Sequence, residues 1–176
     1  MDAAHFVWGT SFVMGLWCIV RIFVRTSSGR KRYNVWGAYN AITGKLLTVV
    51  NESYINSASA CEMLRLLRRS HWGEKITIIL DNAGYQRCYW VREYAILLDI
   101  ELLFLPSYSP NLNLIERLWK FVKKKSLNNC DYQTFEAFKL SIGNCLNEIN
   151  QKYRYQVETL MKLRLQIFKN NQVMAE

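Results

Sequence analysis

The chain is 176 residues long, which suffices for one domain with a full hydrophobic core and is too short for two domains of ordinary size. Apolar residues make up 51% of it and aromatic residues 14%, with only two prolines, so the composition excludes a disordered polypeptide. The five cysteines form no C-x-x-C pair and no Cys/His cluster. The sequence therefore supports neither a disulfide framework nor a zinc site, and it favours a reducing intracellular compartment.

The formal net charge of +9 favours an anionic partner, of which nucleic acid is the commonest kind, although a basic soluble protein without such a partner is the alternative. The most apolar N-terminal stretch, residues 11–24, is interrupted by Arg21 and is shorter than the roughly 20 residues of a membrane-spanning helix. It also lacks the charged start and small-residue cleavage site of a signal peptide. We predict a strand or pair of strands here, and no association with a membrane.

The first half of the chain predicts a hairpin followed by a helix. Residues 33–41 are rich in β-formers, residues 42–45 have the composition of a tight turn, and residues 46–50 form the returning strand. Apolar residues then recur at helical spacing over residues 57–71, with three arginines towards the C-terminal half, where they suit the negative end of the helix dipole.

The second half alternates strand and helix and then becomes helical. We predict a buried strand at 76–80, a helix at 85–98, a strand at 100–105, and helices at 113–127, 132–149 and 155–170. A hairpin, then alternating strands and helices, then helices alone, is typical of a mixed α/β sheet with helices packed on its faces.

Two acidic residues lie where a metal-dependent nuclease requires them. Asp81 directly follows the apolar strand 76–80, so its carboxylate is held at the edge of a sheet, where open α/β sheets place their ligand sites. Glu116 falls in the first turn of the helix predicted at 113–127. A carboxylate on a helix that crosses the same edge would share a divalent cation with Asp81.

The segment before Glu116 has a second interpretation. Pro110 ends the preceding extended segment, and Asn111 or Asn113 is predicted to cap the helix N-terminus. The dipole of that helix favours the ionised form of Glu116. Asn113 and Glu116 also match a capping box loosely, so Glu116 is either a metal ligand or part of a helix cap. The strand-end position of Asp81 favours the metal ligand.

Three segments carry a resemblance to a known family. They are LDNAGYQ at residues 80–86, LPSYSPNLNLIERLW at residues 105–119, and the opening DAAHFVWG at residues 2–9. In their order and spacing they resemble the conserved core of mariner-superfamily transposases, particularly the bacterial insertion-sequence branch. The resemblance implies an RNase H-like fold, a mixed five-stranded sheet with helices on both faces. It also implies a catalytic triad of Asp2, Asp81 and Glu116 that binds two Mg²⁺ or Mn²⁺ ions.

The resemblance further implies an incomplete first strand, because only Met1 precedes Asp2. Residues 1–127 are expected to form the catalytic core, and residues 128–176 to form helices packed on the same domain. The family recognises its terminal repeats with an N-terminal helix-turn-helix region, so the expected partners are transposon-end and target DNA, together with a helix-turn-helix half or a second copy of the chain. The chain alone is expected to have weak catalytic activity. Its expected location is the bacterial cytoplasm, in association with the nucleoid.

The chemistry of phosphodiester cleavage demands the same residue types independently of the family. Two cations about 3.5–4 Å apart activate the attacking oxygen and hold the leaving group. Hard cations take carboxylate oxygens, whereas histidine and cysteine are ligands for softer metals. Because Asp81 follows the most buried strand, we predict that it bridges the two ions.

Basic residues form two candidate DNA-binding patches, one before the hairpin and one on the helix that carries Glu116. The alternative for both is a solvated surface. The predicted phosphate-binding residues are Arg30, Lys31 and Arg32 in the first patch, and Arg117, Lys120, Lys123, Lys124 and Lys125 in the second.

The sequence thus predicts a metal-dependent enzyme that cleaves DNA and joins strands by attack of a 3′-hydroxyl. Two alternatives stay open. One is a catalytically inactive transposase remnant that acts as a DNA-binding or interaction module. The other is an RNase H-type nuclease, against which the asparagine-rich segment before Glu116 argues.

Overall fold

A computed structural model of the chain describes residues 1–9, 31–106 and 112–162. The strand or strands predicted at 11–24 therefore lie outside the described residues. Within the described ranges the strands are β1 (Asp2–Val7), β2 (Arg32–Tyr39), β3 (Leu46–Asn51), β4 (Ile76–Leu80) and β5 (Ile100–Phe104). The helices are α1 (Ser57–Ser70), α2 (Tyr89–Leu97), α3 (Ile115–Ser126), α4 (Phe135–Ile149) and α5 (Arg154–Leu160), with a short 3₁₀ helix at Gly84–Gln86.

The five strands confirm the predicted mixed α/β architecture, but they are divided between two sheets. β1, β2 and β3 form an antiparallel sheet in that order, and β4 pairs with β5 in parallel. β1 pairs with β2 along its whole length, from Asp2 opposite Gly37 to Val7 opposite Arg32. The two sheets meet where the amino nitrogen of Met1 donates to the carbonyl oxygen of Ile79, at 2.7 Å.

Helices cover both faces of this layer, as the resemblance implies, and each face has its own core. Because successive strand side chains point to opposite faces, Val35 and Trp36 belong to different cores. On one face Phe6 and Val35 pack with α3, α4 and α5, and on the other Trp36 and Leu80 pack with α1 and α2. The apolar strand 76–80 is thus partly exposed, since Ile79 is 47% exposed, and the prediction that it is buried on both faces is wrong.

Local side-chain hydrogen bonds explain where several elements begin. The Asn56 side chain accepts from the backbone N–H of Ser59 and caps α1, and Thr134 caps α4 in the same way through Ala137. In the predicted turn, the Asn40 side chain accepts from the N–H groups of Ile42 and Thr43. Gly44 has a φ of +71°, which glycine adopts without steric cost.

The helix boundaries differ most from the prediction in three helices. The helix predicted at 85–98 is a 3₁₀ turn followed by α2, which starts only at Tyr89. The helix predicted from residue 132 starts at Phe135, because Thr134 is its cap. The helix predicted at 155–170 starts at Arg154 and ends at Leu160, and residues 163–170 lie outside the described residues. None of the helices in the described ranges is long and apolar enough to cross a bilayer.

Candidate active site

The predicted catalytic residues lie where the two sheets meet. Asp2 is the first residue of β1, and Asp81 directly follows β4, beside the contact between Met1 and Ile79. Glu116 lies in the first turn of α3, which packs on β1 and β2. The prediction that Glu116 falls in the first turn of a helix is therefore confirmed.

The start of α3 differs from the predicted cap. Leu114 occupies the cap position with helical backbone angles, and α3 has no side-chain capping hydrogen bond among the described residues. Asn113 is buried and contributes its carbonyl oxygen, which accepts from the N–H of Glu116 at 3.2 Å. The predicted side-chain cap from Asn113 is wrong, because a backbone turn holds this end of the helix, and Asn111 lies outside the described residues.

A buried tryptophan holds the first carboxylate. The indole Nε1 of Trp119 donates to Oδ2 of Asp2 at 3.1 Å, although 117 positions of sequence separate the two residues. Trp119 is 5% exposed and lies one turn of α3 beyond Glu116. The hydrogen bond fixes the orientation of the Asp2 carboxyl group without placing a positive charge beside it.

The carboxyl group of Asp2 is electrostatically unusual. Its pKa is raised from the ordinary 3.8 to about 6, chiefly by burial and to a smaller extent by the neighbouring carboxylates of Asp81 and Glu116. A hydrogen bond from the Ala3 backbone N–H and the nearby terminal ammonium group act in the opposite direction. Asp81 and Glu116 are therefore near enough to Asp2 to disfavour its ionised form, an effect that a bound cation would relieve.

Asp81 is held by a neighbour from its own loop. The side-chain Nε2 of Gln86 donates to Oδ1 of Asp81 at 2.6 Å, and Gln86 is fully buried. Beside them, burial and then the negative charge of Asp81 raise the pKa of Tyr85 to about 12, so its hydroxyl stays protonated at neutral pH. Tyr85 packs edge-on against Trp36, which anchors this loop on the second core.

The donor set suits a hard divalent cation, although the described residues contain no group of three or more His, Cys, Asp or Glu side chains placed closely enough to hold one as they stand. Carboxylate oxygens are the ligands that Mg²⁺ and Mn²⁺ take. Among the ion pairs of the described ranges, none involves Asp2, Asp81 or Glu116. The terminal ammonium group of Met1 is the positive charge that acts on Asp2 in the structure.

The predicted DNA-binding residues of α3 do not form one surface. Lys120, Lys124 and Lys125 are exposed, and Lys120 and Lys123 follow Glu116 by four and seven residues, so these two lie on its side of the helix. The Arg117 guanidinium donates to the carbonyl oxygens of Leu160 and Lys162, which engages it in the fold. The ammonium groups of two of the lysines lie over aromatic rings: Lys123 over Phe6, and Lys125 over Phe121 and Tyr153.

The other predicted patch lies away from the carboxylates. Arg32 pairs with Val7, at the end of β1 opposite Asp2, which places it about 17 Å along the strand at roughly 3.4 Å per residue. Lys31 is exposed and lies over the ring of Phe135. Arg30 is outside the described residues. A role for this patch in binding DNA stays a prediction.

Sequence reasoning missed Trp119 and Gln86. The apolar spacing of α3 indicates that Trp119 is buried, but nothing local shows that its N–H meets Asp2, because that contact depends on how α3 packs on β1. Gln86 lies within the segment LDNAGYQ, five residues after Asp81, and a polar side chain so close to a strand-end aspartate was a usable signal.

The fold is shared with solved transposase structures. The Mos1 transposase paired-end complex with left transposon end superposes with a TM-score of 0.70 at 14% identity, over 91% of this chain and 50% of that one. The Mos1 mariner paired-end complex with Mn gives 0.66 at 14% identity, over 90% and 52%. The catalytic domain of Mos1 mariner transposase gives 0.56 at 16% identity, over 80% and 74%. The chain thus has the RNase H-like fold of transposase catalytic cores and spans about half the length of the full Mos1 chains.

A family model assigns the chain independently of the structure. No curated protein matches the chain significantly. The model described as DDE superfamily endonuclease matches residues 21–139, which is more than half of the chain. That match includes Asp81 and Glu116 and leaves out Asp2. The chain therefore belongs to the DDE superfamily endonuclease family.

Proposed function

We propose that the chain is the catalytic domain of a transposase, which cleaves DNA strands and joins them to a target at a two-metal site formed by Asp2, Asp81 and Glu116. The observation that carries the proposal is geometric: Asp2 and Asp81 lie at the ends of two strands that meet at the hydrogen bond from Met1 to Ile79, and Glu116 is near enough to Asp2 to raise its pKa. Two of them come from the ends of strands, which are rigid supports, and the third comes from the start of a helix.

Each residue has a separate task in this proposal. When bound, Mg²⁺ or Mn²⁺ ions activate the attacking oxygen and neutralise charge on the phosphate. Asp2 and Asp81 provide ligands whose orientations are fixed by Trp119 and Gln86. Glu116 lies in the first turn of α3 and provides the third carboxylate.

The relatives support DNA as the substrate. The Mos1 structures are described with a transposon end, as a strand transfer complex and with Mn. We propose transposon-end and target DNA for this chain, bound through phosphate contacts that include Lys120 and Lys124. The chain spans about half of each Mos1 chain. We propose a helix-turn-helix half as the partner that recognises the transposon ends, and a second copy of the chain as the partner that pairs them.

A plasmid-nicking assay tests this function. Supercoiled DNA incubated with the protein and Mn²⁺ is expected to be nicked slowly, and Asp81→Asn is expected to abolish the nicking because the amide keeps the shape and removes the negative ligand. Asp131→Asn is the matched control, since Asp131 is an exposed carboxylate. Nicking that persists in Asp81→Asn, or that proceeds equally in EDTA, would contradict a metal-dependent site at these residues.

A second candidate is a catalytically inactive module that binds DNA or another chain. The observation that favours it is that no group of three ligand side chains in the described ranges is close enough to hold a metal. This candidate predicts DNA binding that weakens with salt, with no nicking in any divalent metal and no Mn²⁺ binding that depends on Asp81. The enzyme predicts the opposite results for nicking and metal.

A further inference from the structure

We infer that Trp119 is a positioning residue that acts through Asp2, and that Gly37 provides the space its indole ring occupies. The inference rests on the proposed function, because the task assigned to Trp119 is to orient a metal ligand. Trp119 does not touch the substrate or the metal in this scheme. Its contribution passes through one hydrogen bond, from its Nε1 to Oδ2 of Asp2 at 3.1 Å.

The chemistry of the donor suits this task. An indole N–H is neutral and only donates, so it takes up one oxygen of Asp2 without cancelling the negative charge that attracts a cation. A lysine or arginine in its place would compete with the metal for the same carboxylate. Donors that orient the ligands of a metal typically affect its affinity by 10–100-fold when they are removed.

Gly37 is part of the same arrangement. It pairs with Asp2 in the β1–β2 register, and a Cβ added to it would lie 2.6 Å from Cη2 and 2.8 Å from Cζ2 of Trp119. A real Cβ essentially never approaches another heavy atom so closely. Gly37 is not among the described glycines with positive φ, so it is the space for the ring, and not the backbone conformation, that requires glycine here.

A second tryptophan of the same core supplies a matched control. The indole Nε1 of Trp8 donates to the backbone carbonyl oxygen of Tyr132 at 2.8 Å, and its ring packs against Phe135. Replacing either tryptophan by phenylalanine removes one indole hydrogen bond and a similar volume from this core. Only the replacement of Trp119 removes a hydrogen bond to a catalytic carboxylate, so the comparison separates loss of packing from loss of orientation.

The experiment measures Mn²⁺ binding by the disappearance of the free Mn²⁺ signal in electron paramagnetic resonance, alongside the thermal unfolding of each variant. Trp119→Phe is expected to weaken Mn²⁺ affinity about 10-fold or more. Gly37→Ala, which keeps the indole but displaces it, is expected to weaken affinity in the same direction. Trp8→Phe is expected to leave affinity unchanged while it also lowers the unfolding temperature.

A double-mutant cycle with Asp2→Asn identifies the route of the effect. If Trp119 acts through Asp2, Trp119→Phe causes no further loss of Mn²⁺ affinity once Asp2 is asparagine. Additive losses in the cycle, or a folded Gly37→Ala protein with unchanged affinity, would overturn the inference. A parent protein that binds no Mn²⁺ would overturn the proposed function itself, and the titration of the parent alone reveals that case.

Discussion

The two aspartates of the site come from different sheets and are held in different ways. Asp2 begins the antiparallel sheet over the core of α3, α4 and α5, and its hydrogen-bond donor, Trp119, is 117 positions away in the chain. Asp81 follows the parallel pair over the core of α1 and α2, and its donor, Gln86, is five positions away in the same loop.

The hydrogen bond to Asp81 is thus local in sequence, whereas the hydrogen bond to Asp2 depends on tertiary packing. The loop 81–86 orients Asp81 by itself once β4 is in place, whereas Asp2 depends on the packing of α3 against β1 and β2. The site is therefore complete only when both cores are formed. Damage to the α3 side is expected to impair Asp2 and to leave the geometry of Asp81 intact.

The largest effect on the Asp81 side is expected from Gln86→Glu. It puts a second carboxylate on a fully buried position next to Asp81, and an uncompensated buried charge typically costs about 3–5 kcal/mol of unfolding free energy. Gln86→Leu is the control. It removes the donor together with Oε1, which has no hydrogen-bond partner in the described ranges, so we expect a change within about 1 kcal/mol.

Urea denaturation at neutral pH measures both variants. Equal unfolding free energies of Gln86→Glu and Gln86→Leu would show that position 86 tolerates a negative charge. They would contradict the burial of this side chain against Asp81. At acidic pH the two variants are expected to converge, because protonation of the introduced glutamate removes the repulsion.

On the Asp2 side the expected signature is pH dependence of stability in the metal-free protein. The pKa of Asp2 is raised to about 6 from 3.8, so the folded state holds this proton more tightly than the unfolded state. Its contribution to stability is complete below about pH 4 and is lost as the pH rises through about 6. The unfolding free energy is expected to fall by about 2–3 kcal/mol over this window.

Asp2→Asn is expected to remove this dependence and to make the metal-free protein more stable than the parent at pH 7. Asp131→Asn, at an exposed position, is expected to leave the pH profile unchanged. The contrary result is an unfolding free energy of the parent that rises between pH 4 and 6, with a parallel profile for Asp2→Asn. It would show that the Asp2 carboxyl group is exposed to solvent, and that Asp2 is not held in the core as proposed.

The sequence predicts the local side of this comparison better than the tertiary side. The hairpin, α1 and the strand before Asp81 follow from turn residues and from apolar spacing, and Glu116 falls in the first turn of α3 as expected. The division into two sheets does not follow from any local pattern. The pairing of Trp119 with Asp2 depends on the packing of a helix on a strand from the other end of the chain.

At the helix start before Glu116 the sequence instead predicted a local contact that the structure does not contain. A matching polar motif suggested a side-chain cap from Asn113, and the structure instead buries that residue and uses its carbonyl oxygen. Burial of Asn113 is decided by the packing around α3, which outweighs the local preference of asparagine for a cap.

The smallest expected effect concerns how DNA approaches the α3 side. Lys120 and Lys124 are exposed and have no aromatic ring contact in the described ranges, whereas the ammonium groups of Lys123 and Lys125 lie over aromatic rings. Lys120→Gln with Lys124→Gln is expected to flatten the plot of log affinity against log salt by up to about 0.9 per lost phosphate contact. The pair Lys123→Gln and Lys125→Gln carries the same charge change on the same helix and is the control.

Fluorescence anisotropy with a labelled duplex at several salt concentrations measures these slopes. An equal flattening of the salt dependence by both double variants would indicate that DNA contacts all four lysines of α3, and not Lys120 and Lys124 alone. A parent slope near zero would show that the basic residues of α3 are only a solvated surface.

The central claim is that Asp2, Asp81 and Glu116 form one metal site. The most direct test is a crystal structure of the protein with Mn²⁺, in which anomalous scattering locates the metal. The account predicts an anomalous peak among the carboxylate oxygens of these three residues, and its loss in crystals of Asp81→Asn grown in the same way. A peak at other residues, or well-occupied Mn²⁺ that persists in the Asp81→Asn protein, would contradict it.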